Sequence, residues 1–425
     1  MSDTIFALSS GAPPAGIGVI RITGPDAAYA LTQLAGGLPP ARKASFGPLR
    51  DADGALLDET LYLWFPGPGT ASGEDLAELH LHGGRAVIDA VQDALRRIPG
   101  LRRAEAGEFT RRAFVNGRVD LAEAEGLADL LSAETEIQRR AAIAMAGGRF
   151  SQQVEQWREQ ILRLSAHVEA VLDFDDEDDV GGLPPQFIED IETLANAVHS
   201  RLKSPRAETL REGFRVALAG PPNAGKSTLF NALVESEAAI TAPIPGTTRD
   251  VLVQPVSISG IPFSFVDMAG LRDETTDVIE TIGIDRAQKE IDRADIVLWL
   301  GPEDQAPQGS WDIDAKSDDD DRVPKTAPFL RVSAINGEGM DQIREALVDR
   351  ARNAMPKPGD VALNSRQTLL LEEAERNLRQ IVQLSDPLLV AENLRMTRAA
   401  FDRLIGRATT EDVLDTLFGR FCIGK

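Results

Sequence analysis

The sequence predicts a multidomain chain: an α+β domain at the N terminus, a discontinuous all-α helical domain, and an α/β domain inserted into the helical one. Three observations carry this. At 425 residues the chain exceeds the size at which one core keeps growing, so two or three domains are expected. Apolar strands alternate with helical stretches between about Phe214 and Asn353, the pattern of an α/β layer. After "NAMPKPGD" roughly 65 residues remain, helical in pattern and too few for a core of their own. They are expected to pack on the helices before residue 210.

The first domain covers residues 1–118. Short β-type runs broken by glycine and proline, "GVIRITG", "TLYLWFPGPG" and "LAELHLHGG", precede a helix expected from Arg85 to Arg97. The character changes at Val119. Leu121, Ala124, Ala128 and Leu131 mark one helical face. Phe150, Val154, Trp157, Ile161, Leu164, Val168 and Val171 then alternate steps of four and three, a seam for packing against another helix. The acidic run "DFDDEDDVGGLPP" stops it and reads as a solvated loop, because like charges repel unless a cation is supplied. Residues 119–210 form the first part of the helical domain and 356–425 the second. The inserted domain, 211–355, has "FRVALAG", "VLVQPVSI", "FSFVDMAG", "DIVLWL" and "PFLRVSA" as strands.

The formal charge of -22 argues against generic adhesion to nucleic acid or anionic lipid. Between Arg96 and Arg118, however, arginines outnumber glutamates seven to two, either a solvated face or a patch that meets phosphates. The single cysteine, Cys422, excludes an internal disulfide and fits a reducing compartment. The start lacks a basic segment leading into a long apolar core, and no run of about twenty apolar residues occurs. A cytoplasmic protein without a membrane partner is expected.

"GPPNAGKS", Gly220 to Ser227, fits the P-loop pattern and lies between an apolar strand and the helix "STLFNALV". Backbone amides there point at phosphates. Asn223, Ala224, Gly225, Lys226, Ser227 and Thr228 are expected to hold GTP, Lys226 neutralising β- and γ-phosphate charge and Ser227 ligating Mg2+. "PGTTRD" adds Thr247 and Thr248, the latter a second Mg2+ ligand. "DMAG" adds Asp267 beside the metal and the Gly270 amide beside the γ-phosphate. The segment that reads the base is "AKSD". Asp318 accepts from guanine N1–H and the exocyclic amine, which disfavours an ATPase, and Lys316 lies along the ring. The asparagine that usually braces this loop is replaced by Ala315, and the stretch before it is too short for a full crossover helix. Guanine preference with modest affinity follows. Ser333 and Ala334 of "VSA" fit a backbone contact to the guanine oxygen.

With "GIGVIRITG", "GEFTRRAFVNGRVDLAEAEGLADLL", "GPPNAGKSTLFNAL", "PGTTRD", "DMAGLRD", "IGIDRA" and the terminal "FCIGK", the whole chain resembles the tRNA modification GTPase family MnmE, also called TrmE. The resemblance implies a folate-type N-terminal domain, a homodimer through it, and an inserted G domain. It also implies a complex of heterotetramer type with the flavoprotein MnmG (GidA), acting on the wobble uridine of tRNA. A carboxymethylaminomethyl or aminomethyl group is placed at C5, with a one-carbon unit from 5,10-methylenetetrahydrofolate; 5-formyltetrahydrofolate is the corresponding ligand. None of this follows from periodicity or composition.

Many such GTPases place a glutamine after the second switch glycine to hold the attacking water; this chain has Leu271, which neither donates nor accepts. By resemblance the catalytic group is Glu280, and K+ replaces an arginine finger. The same resemblance assigns that ion to Asn223, loop carbonyls near Ala242 and Ile244, and Thr247. The ion stabilises charge developing between the phosphates, and its loop is ordered when two G domains meet. Folate contacts fall on Arg21, Glu78, Arg118 and Lys425. Arg118 stands where some members have lysine, which keeps charge and changes geometry. Cys422 is either a nucleophile or a small buried apolar residue. His80 and His82 share a strand face with Glu78 and read as pocket or surface histidines before metal ligands. The rival reading is a regulatory GTP switch, such as a ribosome-assembly factor, without modification chemistry.

Overall fold

A computed structural model of the chain describes residues 3–173, 183–203, 207–235, 238–239, 252–267, 289–319, 323–355, 357 and 360–424. Ala242, Ile244, Thr247, Thr248, Gly270, Glu280 and Lys425 lie outside the described residues, as do Met268 and Leu271.

The first domain is built on strands β1 (Thr4–Leu8) and β2 (Ile17–Thr23), helix α1 (Ala27–Ala35), and strands β3 (Ser45–Arg50), β4 (Leu56–Phe65) and β5 (Leu76–His82). Helix α2 (Arg85–Arg96), strand β6 (Leu101–Arg103) and helix α3 (Glu108–Val115) complete it. The six strands lie in the order β3-β4-β5-β2-β1-β6, antiparallel except for the β1–β6 pair. Alternation in "IGVIRIT" sends Ile20 and Ile22 to one face, where they join Phe6, Leu79 and Leu81 beneath residues of α1 and α2. The opposite face carries Arg21 and Glu78. Sequence pattern missed β1, β3 and β6. "TIFAL" is five apolar-to-polar residues without alternation, "SFGPLR" is interrupted by glycine and proline, and β6 is three residues long.

Helices α4 (Leu121–Leu131), α5 (Glu136–Ala146), α6 (Arg149–Asp173), α7 (Phe187–Leu202) and α8 (Ala207–Glu212) follow. The seam along α6 is confirmed from Phe150 to Val168, all buried; Val171 is half-buried. On α4 the expected face holds for Leu121 and Ala124 and fails at Leu131, which is exposed at the last residue of the helix.

The second sheet comprises β7 (Phe214–Ala219), then, after α9 (Lys226–Glu235), β8 (Ala238–Ala239), β9 (Leu252–Ile258), β10 (Ile261–Asp267), β11 (Ile296–Trp299), β12 (Trp311–Ala315) and β13 (Leu330–Val332). Their order is β13-β12-β11-β7-β10-β9-β8, with β13 through β10 parallel and β9 and β8 antiparallel to their neighbours. The link from β11 to β12 contains one turn of 3-10 helix, Glu303–Gln305, in accord with its short length. Strand β12, "WDIDA", alternates carboxylates with apolar residues and so lacks the continuous apolar run of the central strands. Phe214, Phe263, Phe265, Leu298 and Ile313 centre the core.

Helices α10 (Met340–Ala354), α11 (Ser365–Ile381), α12 (Pro387–Leu404) and α13 (Glu411–Phe418) end the chain. The expected packing of this tail on earlier helices is present. On α11, Arg379 donates to Asn196 of α7 at 2.9 Å and Glu375 pairs with His199 at 3.0 Å. On α13, Phe418 packs against Phe114 of α3, centroids 6.2 Å apart. By density of contact the chain divides into two units. One is Met1–Ala128 with Ser151–Arg158 and Phe401–Lys425; the other is Asp129–Phe150 with Glu159–Ala400.

Candidate functional site

The nucleotide site is assembled where parallel strands β7 and β10 end together, Asp267 standing opposite Leu218. Ligands of α/β sheets bind at such carboxyl ends. The chain leaves β7 through Gly220–Gly225 and enters α9 at Lys226. Asn223 is held at φ 60°, a left-handed conformation that asparagine tolerates better than most residues. The buried Lys226 ammonium donates to the carbonyls of Gly220 (3.0 Å) and Pro221 (2.8 Å). Ser227 Oγ donates to Asp267 Oδ2 at 2.8 Å. A hydroxyl and a carboxylate so placed form the hard-oxygen set that suits Mg2+.

At the other end of the site a cavity of about 410 Å3 is lined by Gly225, Thr228, Ala315, Lys316, Asp318 and Ala334, among others. The expected base-reading residues thus meet the start of α9 in one pocket. Lys316, also left-handed at φ 60°, lies over the P-loop: a Cβ on Gly225 would stand 3.5 Å from its Cε. Ser333 does not line the cavity. It is fully buried, its hydroxyl donating to Asp318 Oδ1 and accepting the amides of Ile335 and Asn336, each at 3.2 Å. Its side chain therefore orients Asp318, and Ala334 is the member of the pair that faces the pocket. Four lining residues had no sequence signal: the exposed Ile335 and Asp319, and the buried Leu229 and Val332.

On the outer face of the first sheet, register aligns Leu63, Glu78 and Arg21 across β4, β5 and β2. Arg21 Nε donates to Glu78 Oε1 at 2.9 Å, and His80 Nε2 lies 3.2 Å from Glu78 Oε2. His82 turns to Asp58, 2.8 Å away, and no group of three metal-type ligands occurs among the described residues. The exposed Arg118 packs beside Gly73; a Cβ there would stand 3.1 Å from Arg118 Cγ. The adjoining Ser72 bonds Thr23, two residues beyond Arg21 on β2, at 2.6 Å. Of the four expected folate residues, Arg21 and Glu78 are thus in contact and Arg118 lies by a loop tied to the same strand. Cys422 is exposed, which removes the reading of it as a buried apolar residue.

The arginine-rich stretch is mostly not a phosphate-facing patch. Arg112 is fully buried and bonds Asp3, Glu74 and Glu108; Arg102 shares Asp3 and Glu108. Arg111 pairs with Glu411 and Asp415. Arg96 and Arg97 face Asp93 and Asp53. Arg118 is the member of the stretch that stays exposed beside the candidate folate face.

Comparison with known proteins agrees with this geometry. Residues 4–118 match the family described as GTP-binding protein TrmE N-terminus, and residues 121–422 match the MnmE helical domain. The tRNA modification GTPase MnmE of Erythrobacter litoralis is 61% identical over 423 residues, covering 100% of both chains. Its counterpart in Novosphingobium aromaticivorans is 60% identical over 437 residues, again with 100% of each covered. That of Rhizorhabdus wittichii is 56% identical, covering 100% of this chain and 97% of its own. With both ends of the chain matched by family models and relatives 56% to 61% identical along its whole length, this protein belongs to the MnmE (TrmE) family of tRNA modification GTPases.

Proposed function

We propose that the chain hydrolyses GTP as one component of a system that modifies C5 of the wobble uridine in tRNA. The flavoprotein MnmG is its partner and a tetrahydrofolate supplies the one-carbon unit. The observation that carries the GTP part is the pairing of Ser227 with Asp267 at the start of α9, whose neighbours Gly225 and Thr228 line a pocket together with Asp318. With Mg2+ bound, Ser227 and Asp267 would hold it, the metal neutralising phosphate charge; Lys226 is turned toward the same loop.

The folate part rests on Arg21, Glu78 and Arg118. A cationic pair suits the carboxylates of the folate tail, and the Glu78 carboxylate suits the donor edge of the pterin. Homodimer formation through the first domain is supported by the same sheet. Phe46 and Leu61 are partners across β3 and β4, and both are exposed. Apolar groups so placed favour burial against another surface. No helix among the described residues is long and apolar enough to cross a membrane. The division into residues 1–118, 119–210, 211–355 and 356–425 belongs to this reading. So do Glu280 as the group that orients water and Asn223 as a ligand of K+.

Deleting the gene and examining wobble uridines by mass spectrometry tests the modification. Loss of the C5 group is expected; intact uridine modification would favour the GTP-switch reading. Binding of 5-formyltetrahydrofolate to the full chain tests the folate domain. Faster GTP turnover in K+ than in Na+ buffer, and loss of turnover with retained GTP binding in Glu280→Ala, test the hydrolytic assignment. Equal rates would remove it.

A further inference from the structure

We infer that Glu338 is a positioning residue for guanine recognition, acting through Ser317 as the brace that Ala315 does not provide. The inference rests on the reading of Asp318 as the group that accepts from guanine. Ser317 Oγ donates to Glu338 Oε2 at 2.7 Å. Two further bonds tie the same loop to the end of β13: the Ser317 amide donates to the Val332 carbonyl at 3.1 Å, and the Ser333 hydroxyl donates to Asp318. The backbone of Glu338 is itself held by a closed turn. The Ser333 amide donates to the Glu338 carbonyl at 2.9 Å, Gly337 N–H to the Ser333 carbonyl at 3.0 Å, and Glu338 N–H to Asn336 Oδ1 at 2.9 Å.

Ser333 and Glu338 are therefore the two ends of one turn, and each sends a side-chain contact to the Lys316–Asp318 loop. Ser333 fixes the carboxylate that reads the base; Glu338 fixes the residue preceding it. Alanine at 315 can make no side-chain hydrogen bond. Ser317 and Asp318 are thus both tethered from the β13 side, with Lys316 covering Gly225 on the other.

The test is a double-mutant cycle on the full chain, Ser317→Ala and Glu338→Ala, read as dissociation constants for GDP, IDP and ADP. Each single change should weaken GDP binding about three- to tenfold, the range for one hydrogen bond, and the double change should be no worse. Inosine lacks the 2-amino group that Asp318 accepts from, so the GDP-to-IDP preference should shrink with the brace. A role confined to holding the turn would not move that ratio. Glu338→Gln, which keeps an acceptor oxygen, should restore much of it, and turnover per bound GTP should stay unchanged. Additive single effects, or an unaltered GDP-to-IDP ratio, would overturn the inference while leaving Asp318 as the base reader. A native chain that binds GDP and ADP alike would remove the base assignment and the brace together.

Discussion

Gly424 lies against the carbonyl of Leu8. Its φ is +98°, and a Cβ at this position would stand 2.2 Å from the Leu8 oxygen. The contact is reinforced on both sides: Ser9 Oγ donates to the Gly424 carbonyl at 2.8 Å, and Ile423 bridges Ala106. Ile423 and Gly424 are thus docked on the first unit, and the glycine is required by both conformation and space.

Gly424→Ala should release that segment without unfolding the domain. The strain is local, about 1–3 kcal/mol, and is relieved by undocking. Hydrogen exchange should show the Ile423 and Ala106 amides losing protection while β1 and β2 keep theirs. Retained protection at Ile423 would mean that the tail accommodates the methyl group.

Arg112 should be among the costliest single residues to remove from the first domain. Its guanidinium is fully buried among Asp3, Glu74 and Glu108, so Arg112→Met would take this cation from Glu74 and leave Asp3 and Glu108 to Arg102. Breaking a buried pair from one side typically costs about 3–5 kcal/mol. Urea unfolding of the full chain should show the first transition moved to lower concentration. An unmoved midpoint would mean that solvent or Arg102 replaces the charge.

The same cluster sets an acid limit. Burial alone would raise the Glu108 carboxyl, but hydrogen bonds from Arg102, the Glu105 amide and Arg112 outweigh it and hold it below the ordinary 4.5. Asp3 behaves alike: burial opposes, yet Arg102 and Arg112 hold it below 3.8. A carboxylate with a depressed folded value contributes stability above its unfolded value and loses it as pH falls through the folded one. Thermal stability from this cluster should be level between about pH 7 and pH 5, then fall progressively below about pH 4.5. Arg112→Met should flatten that fall; an identical slope in the variant would deny the cluster its role.

What was legible in the sequence was what is local. The P-loop is one strand, one turn and one helix start, so eight consecutive residues specify it. The α6 seam is likewise periodic along one element. Contacts across long separations were not legible. Arg112 reads as part of a basic run because its partners Asp3 and Glu74 lie far away in the chain, and only sheet formation brings them together. The motif "VSA" suggests only a backbone role for Ser333, since it says nothing of where the hydroxyl points. The bond from Ser317 to Glu338 depends on a turn that begins after β13, which pattern does not fix. Leu131 had the right spacing and the wrong exposure, since periodicity does not report where a partner surface ends.

Ser227 and Asp267 offer the most direct test of the proposed hydrolytic site. The hydroxyl and carboxylate meet at 2.8 Å, one from the first turn of α9 and the other from the end of β10. Ser227→Ala deletes both the bond that orients Asp267 and the hydroxyl expected on Mg2+, while leaving the phosphate-facing backbone of the loop intact. Loss of one preorganised electrostatic contact at a reacting phosphate typically costs about a hundredfold in turnover. GTP hydrolysis by Ser227→Ala should fall by about that factor and lose its response to added Mg2+, with GDP affinity changed far less. Ser227→Thr keeps the hydroxyl and satisfies the same loop pattern, so it should retain most of the activity. Equal loss in the alanine and threonine variants would point to packing at the start of α9, and the metal assignment of Ser227 would fall.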